Sequence, residues 1–314
     1  MRDYTAPVQD IRFVQDHIAD LSGIAALDGF GECTPGHVTQ LLDGAARFYQ
    51  DVWAPTNRPA DIFGSHLRNG RVEVLGALRD AYHRTMEGGW MVLPRRPSEG
   101  GDGIPWLVHA AIIEMASSGN GAFSLLTGLI AGQIELLRTH ASPELQALYV
   151  PKLFSGAWAG AMDLTEPDAG SDLGRLRTRA IPQADGTYRL HGVKRFISWG
   201  DHDLTDNIVH VVLARMPDAP AGTPGISCFL VSKFLVGADG RLGARNDIRC
   251  IAAEQNLGFR ASPSSVMALG DEGGAVGHLI GRENGGMRVM FTLMNSNRLA
   301  TALGSLGISE RAYQ

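Results

Sequence analysis

The hydrophobic period of this chain changes twice, and those two changes restrict its fold more than any other feature. Through residue 156, apolar residues recur at helical spacing; from Ala157 to Asn284, short apolar runs are separated by turn residues; after Gly285-Gly286, the helical period returns. Helices and strands therefore occupy separate stretches, which predicts an α+β protein with segregated domains. With 314 residues there is length for more than one core. The predicted divisions are an α-helical domain at 1–156, a β domain at 157–284, and the start of a C-terminal helical domain at 285–314.

The first part carries explicit helix punctuation. Ile11, Val14, Ile18 and Leu21 fall on one helical face. Thr34-Pro35 reads as an N-cap followed by proline at the first helical position, with Val38, Leu41, Leu42, Ala45 and Tyr49 behind it. Val72, Leu75, Leu78, Tyr82 and Met86 form a second stripe that stops at Gly88-Gly89. Pro105 opens a very apolar helix through Met115, a further helix is predicted over Phe123–Leu137, and Ser142-Pro143-Glu144 starts another that ends near Phe154.

In the middle part the predicted strands are Ala157–Leu164, Leu176–Ile181, Tyr188–His191, Lys194–Ser198, Ile208–Ala214 and Gly225–Val231, with weaker ones at Ser265–Leu269 and Val276–Ile280. Turns such as Ala184-Asp185-Gly186 and Gly237-Ala238-Asp239-Gly240 separate them. Short strands at this spacing suit a β-barrel or sandwich. Met287, Met290, Phe291, Met294, Leu299, Leu303 and Leu306 then predict a terminal helix still uncapped at Gln314.

Composition excludes several classes. A formal charge of −5 and no Lys/Arg-rich block argue against nucleic-acid binding. No apolar run reaches the ~20 residues of a membrane span. The three cysteines are far apart, and neither a CxxC nor a Cys/His metal spacing occurs, which fits a reducing, cytoplasmic setting and no metal centre. Asp201-His202-Asp203 has metal-binding residue types, but adjacent residues on a turn rarely converge on one ion. The glycines of Pro94–Gly103 follow no suitable strand, so they are no dinucleotide fingerprint. HExxH and GxSxG are both absent.

Two stretches carry chemistry. Met162-Asp163-Leu164-Thr165-Glu166-Pro167-Asp168-Ala169-Gly170-Ser171-Asp172 reads as a strand end running into a tight turn, with Pro167 fixing φ and Gly170 supplying φ > 0. Gly192-Val193-Lys194-Arg195-Phe196-Ile197-Ser198 follows on a later strand. Together they resemble the FAD-binding middle domain of the acyl-CoA dehydrogenase family, whose signature is a Thr-Glu-Pro-x-Ala-Gly-Ser-Asp turn followed by a Gly-x-Lys-x-aromatic-Ile-Thr/Ser strand. The resemblance extends over nearly the whole chain. The stretch Gly200–His210, with Ala214-Arg215 and Pro217–Thr223, is similar to the branch of larger members that includes 3-methylmercaptopropionyl-CoA dehydrogenase. Members of that branch are nearly twice as long.

The resemblance implies an all-α N-terminal domain, a β-barrel middle domain and the first helix of a C-terminal four-helix bundle. It implies FAD as cofactor, an acyl-CoA substrate and α,β-dehydrogenation of the thioester, with electrons passed to electron-transfer flavoprotein or a similar acceptor. Met162, Leu164 and Thr165 would line the isoalloxazine edge. Ser171 would lie near the pyrophosphate and the acyl-CoA, Phe196 would cover one flavin face in place of the usual Trp, and Ser198 would bond the ring. Asn295 and Arg298 match the helix near the CoA moiety. The catalytic base is unknown: in most members it is a Glu that would fall beyond Gln314, and in others it immediately precedes the arginine, where this chain has Asn297. An amide cannot take up the proton. Glu166 is expected to be structural. The isolated chain is therefore expected to be inactive, to hold flavin weakly, and to associate as a homo-oligomer or with a partner chain supplying the bundle. The alternatives are a non-catalytic FAD- or acyl-CoA-binding subunit, a pseudoenzyme, or a related flavin oxidase.

Overall fold

The computed structural model describes residues 4–31 and 33–314. In chain order the elements are α1 (Val8–His17), α2 (Leu21–Ala25), α3 (Pro35–Phe48), a π-helical turn (Tyr49–Trp53), α4 (Ala54–Phe63), β1 (His66–Arg68), β2 (Arg71–Glu73), α5 (Gly76–Glu87), α6 (Trp106–His140) and α7 (Pro143–Phe154). Then come β3 (Trp158–Asp163), β4 (Arg179–Pro182), β5 (Tyr188–Ser198), β6 (Asn207–Arg215), β7 (Ile226–Ser232), β8 (Phe234–Val236), β9 (Leu242–Arg245), β10 (Ile248–Ala253), β11 (Ser264–Leu269), β12 (Ala275–Ile280) and α8 (Gly286–Tyr313). The chain forms two compact units. One takes Gly76–Ser124, Arg298–Gln314 and the chain up to Ile62; the other takes Phe63–Leu75 and Leu125–Asn297.

The first unit is helical. Thr34 caps α3 by accepting the His37 N–H, and Pro35 follows it, as expected. Tyr49, Trp53, Tyr82 and Phe123 are buried, with the Trp53 and Phe123 rings 4.5 Å apart. Two helix expectations need correction. The stripe from Ile11 to Leu21 is not one helix: Asp20 takes a left-handed conformation and starts α2 afresh, leaving Val14 and Ile18 exposed. Val72 and Leu75 do not belong to the α5 stripe, because Val72 lies in the β1–β2 hairpin. The two helices predicted on either side of residue 120 are both present: α6 is two helices that meet at a kink at the non-helical Asn120 (φ −154°, ψ 96°). Its side-chain Oδ1 accepts the Phe123 N–H at 3.0 Å, so Asn120 acts as an internal N-cap.

The second unit is built on the sheet. β5 pairs β12, β12 pairs β7, β7 pairs β6, and β4 pairs both β6 and β5, which closes a barrel. β11 and β10 extend it from β5, and β3 from β6. Ala161, Leu190, Val212, Phe229, Val231, Met267 and Leu269 share its buried core. The two strands predicted at 188–191 and 194–198 are a single strand that changes partners: its first part pairs β4 and β12, and its last part pairs β11. Gly192 permits this, since a Cβ there would lie 2.3 Å from Thr178 Oγ1.

Candidate functional site

The site begins at the end of β3. Beyond Asp163 the chain turns, and Glu166 and Ala169 exchange both backbone hydrogen bonds, at 3.0 and 3.1 Å. Gly170 does not take positive φ, contrary to expectation; that closure leaves no left-handed position for it to fill. Asp172 accepts the Gly174 N–H at 3.0 Å and so stops the turn.

Glu166 points inward. Its carboxylate accepts from Arg177 N at 2.7 Å, Thr178 N at 3.0 Å, Thr178 Oγ1 at 2.5 Å and Lys194 Nζ at 2.9 Å. Burial opposes ionisation of this carboxyl, yet the Lys194 charge and the donors from Thr178 and Arg177 outweigh it and hold its pKa below 4.5. Lys194 is fully buried, and burial draws its own pKa down from 10.5 against the pull of Glu166. Its Nζ also donates to Leu164 O at 3.0 Å. The structural reading of Glu166 is thereby explained: it neutralises the lysine that joins the two motifs.

A second stitch runs from Arg195 N to Thr165 O, at 2.8 Å. Between Ser265 and Met267 the β11–β5 register shifts, so that β5 carries an extra residue across Lys194–Ile197. Phe196 lies in this bulge with φ +60° and is 54% exposed. A bulky residue held left-handed is a strained arrangement, at roughly 1–3 kcal/mol. The strain turns the ring out of the sheet, so Phe196 is no core residue. The Arg195 guanidinium lies over that ring, 4.8 Å from its centroid.

Leu164 is buried, whereas Met162, Thr165 and Ser198 are partly exposed and Ser171 is exposed. Hydrogen bonds thus bring Leu164 and Thr165 against the Lys194–Ser198 end of β5. Asn295 is an exposed residue of α8 in the barrel unit, and Arg298 is an exposed residue of α8 in the helical unit.

Sequence reasoning missed the layer beneath the turn. Asp163 and His210 are both buried and pair at 3.0 Å. Asp201 binds Lys233 Nζ at 2.6 Å. His202 is buried and its pKa is pushed down to about 3, chiefly by burial and then by Lys233 and His210. The run Asp201-His202-Asp203 is therefore a structural corner, and no group of metal-ligating residues exists among the described residues. The available signal was a polar residue inside each of two apolar strands, Asp163 in β3 and His210 in β6, but pairing them requires the β3–β6 register, in which His210 faces Ala161, two residues before Asp163. A cleft of about 740 Å³ lies elsewhere on the barrel unit, lined by Arg189, His191, Arg245, Asp247, Arg249 and Glu272 among others, and contains none of the motif residues. No helix of the described residues is long and apolar enough to cross a membrane.

Comparison with known proteins agrees with this arrangement. Residues 161–267 match the family model for the acyl-CoA dehydrogenase middle domain. The chain is 42% identical over 311 residues to 3-methylmercaptopropionyl-CoA dehydrogenase of Ruegeria pomeroyi, covering 99% of this chain and 52% of that protein. It spans about half the length of the curated relatives it matches. Among solved structures, Caenorhabditis elegans ACDH-11 in complex with C11-CoA shares the fold, with a TM-score of 0.75 and 20% identity over 98% of this chain and 52% of that one. So does an acyl-CoA dehydrogenase complexed with FAD from Bacillus anthracis, with a TM-score of 0.69 and 21% identity over 88% of this chain and 42% of that one. The chain belongs to the acyl-CoA dehydrogenase family, which it matches through a middle domain built on the joined turn and strand.

Proposed function

We propose that this chain binds FAD along the Leu164–Thr165 turn and Phe196, as part of an acyl-CoA dehydrogenase that desaturates an acyl-CoA thioester between Cα and Cβ. One observation carries the reading. Lys194 and Arg195 tie the signature turn to the strand that presents Phe196, so a donor-bearing loop and an exposed aromatic ring face solvent side by side. These groups fit a flavin. The backbone and hydroxyl of Thr165, with Met162, Leu164 and Ser198, supply hydrogen-bond donors and an apolar edge for the ring system, and Phe196 supplies a stacking face. Ser171 would hold the pyrophosphate and the thioester end. Bound FAD would supply the hydride acceptor for the β-hydrogen.

Asn295 and Arg298 complete the proposal at the CoA moiety, where a guanidinium suits a pyrophosphate. The division into domains at 1–156, 157–284 and 285–314 is part of the same reading. So are an electron-transfer flavoprotein or similar acceptor, a cytoplasmic location, and assembly as a homo-oligomer or with a partner chain. Asn297 favours a second reading in which these residues bind FAD and acyl-CoA but bring no base of their own.

The test is an absorbance titration of the purified chain with FAD, followed by anaerobic addition of a short- or medium-chain acyl-CoA. Saturable binding that Phe196→Ala weakens supports the cradle. No binding by the native chain, or equal binding by Phe196→Ala, refutes it. Flavin that binds but is not bleached by acyl-CoA supports the reading without a base; bleaching shows that a base exists within these residues.

A further inference from the structure

The Leu164–Thr165 peptide is trans, so its carbonyl and its N–H point in opposite directions. Lys194 Nζ, buried beneath the turn, takes the Leu164 carbonyl at 3.0 Å and thereby fixes which way is inward. The Thr165 N–H must then face the other way. The next carbonyl, that of Thr165, is held by Arg195 N, so the peptide cannot rotate from its far side either. Among the described residues neither the Thr165 N–H nor its hydroxyl has a hydrogen-bond partner, although Thr165 is only partly exposed.

Lys194 can occupy that place only because Glu166 accompanies it. Glu166 is anchored in turn by Thr178 and Arg177, on the segment against which Gly192 packs. A buried pair of this kind contributes little net stability compared with apolar residues of the same volume. Its retention directly under an outward-facing donor is better accounted for by orientation than by stability.

We propose that Lys194, partnered by Glu166, is a positioning residue: by holding the Leu164 carbonyl inward it aims the Thr165 N–H at the flavin ring. This rests on the FAD reading above. A donor fixed before the cofactor arrives costs no reorganisation when the ring takes up negative charge.

Two variants isolate the bond. Glu166→Gln removes the buried carboxylate but keeps the Lys194–Leu164 bond. Adding Lys194→Met removes that bond without leaving an unpaired charge. Val231→Ala, a cavity variant in the barrel core, serves as a control for stability loss alone. FAD affinity and the midpoint potential of the bound flavin are measured for all of them. The expected result is that E166Q/K194M binds FAD about tenfold more weakly than E166Q, the equivalent of one hydrogen bond, and that its flavin potential becomes more negative. V231A loses thermal stability with both quantities unchanged. If E166Q and E166Q/K194M agree in affinity and potential while the native chain binds FAD, the positioning role is wrong and the FAD reading stands. If the native chain binds no FAD, both fall.

Discussion

Both units bury aromatic rings, but among the described residues the buried carboxylates, Asp163, Glu166 and Asp201, and the buried Lys194 all belong to the barrel unit. In the helical unit, Trp53 packs against Phe123 and Tyr49, and neutral polar groups pair within that aromatic cluster: Trp53 Nε1 donates to Thr85 Oγ1, and Asn120 Nδ2 to Thr56 Oγ1, both at 2.9 Å. In the barrel unit, Glu166–Lys194, Asp163–His210 and Asp201–Lys233 all lie under or beside strand ends. Apolar packing tolerates exchange of one hydrophobe for another of similar volume. A buried ion pair tolerates loss of neither member. The difference separates a part whose sequence is selected for volume from a part whose sequence is selected for the placement of particular atoms.

Substitutions can break this comparison. Lys194→Met alone strands the Glu166 carboxylate and should cost about 3–5 kcal/mol in denaturant unfolding, most of it recovered in E166Q/K194M. A single variant as stable as the native chain would show that the charges are not coupled. In the helical unit, Leu78→Ala, at a fully buried position, should cost about 2–5 kcal/mol by cavity formation, and Leu78→Met much less. Equal costs for Ala and Met there would remove the contrast between the units.

Acid sharpens it further. Burial pushes the His109 pKa in the helical unit down to about 4 and that of His202 in the barrel to about 3, both from 6.5. Both rings are neutral above pH 6.5 and their contributions are then complete. Below 6.5 the unfolded chain takes up protons first, so stability falls by up to about 1.4 kcal/mol per pH unit for each ring, until the folded pKa is reached. Glu166, with its pKa held below 4.5, adds a loss of the same sign as pH drops under 4.5. The barrel should therefore go on losing stability at pH values where His109 has finished titrating. Thermal unfolding followed by near-UV circular dichroism from pH 7 to 3 measures this, and a His202→Asn variant should flatten the lower part of the curve. The smallest effect is Thr34→Ala, expected to cost about 1 kcal/mol through loss of the α3 cap.

What the sequence showed and what it hid follow from the range of the forces involved. Thr34-Pro35 and Ser142-Pro143 announce helix starts because a cap acts on its own next residues. The signature turn and the Gly-x-Lys strand were legible because their residue types are tied to local geometry. The short strands β1, β2, β8, β9 and β10 passed unseen: they are brief, several are exposed, and partners elsewhere in the chain define them. α4 was missed because Pro59 sits inside it. The Phe196 bulge could not be read from β5 alone, since it is a mismatch with β11.

That mismatch has a consequence in time. Ser198 pairs with Ser264 and Gly192 with Leu269, so the edge that presents Phe196 stays open until β11 has been made and has folded back. The turn from Glu166 to Ala169 closes on itself long before. The cradle is therefore assembled from an early piece and a late one. Its completion should follow the slow, long-range step of folding rather than the fast local ones. During synthesis, the chain would carry its signature turn well before it had a face to offer a cofactor.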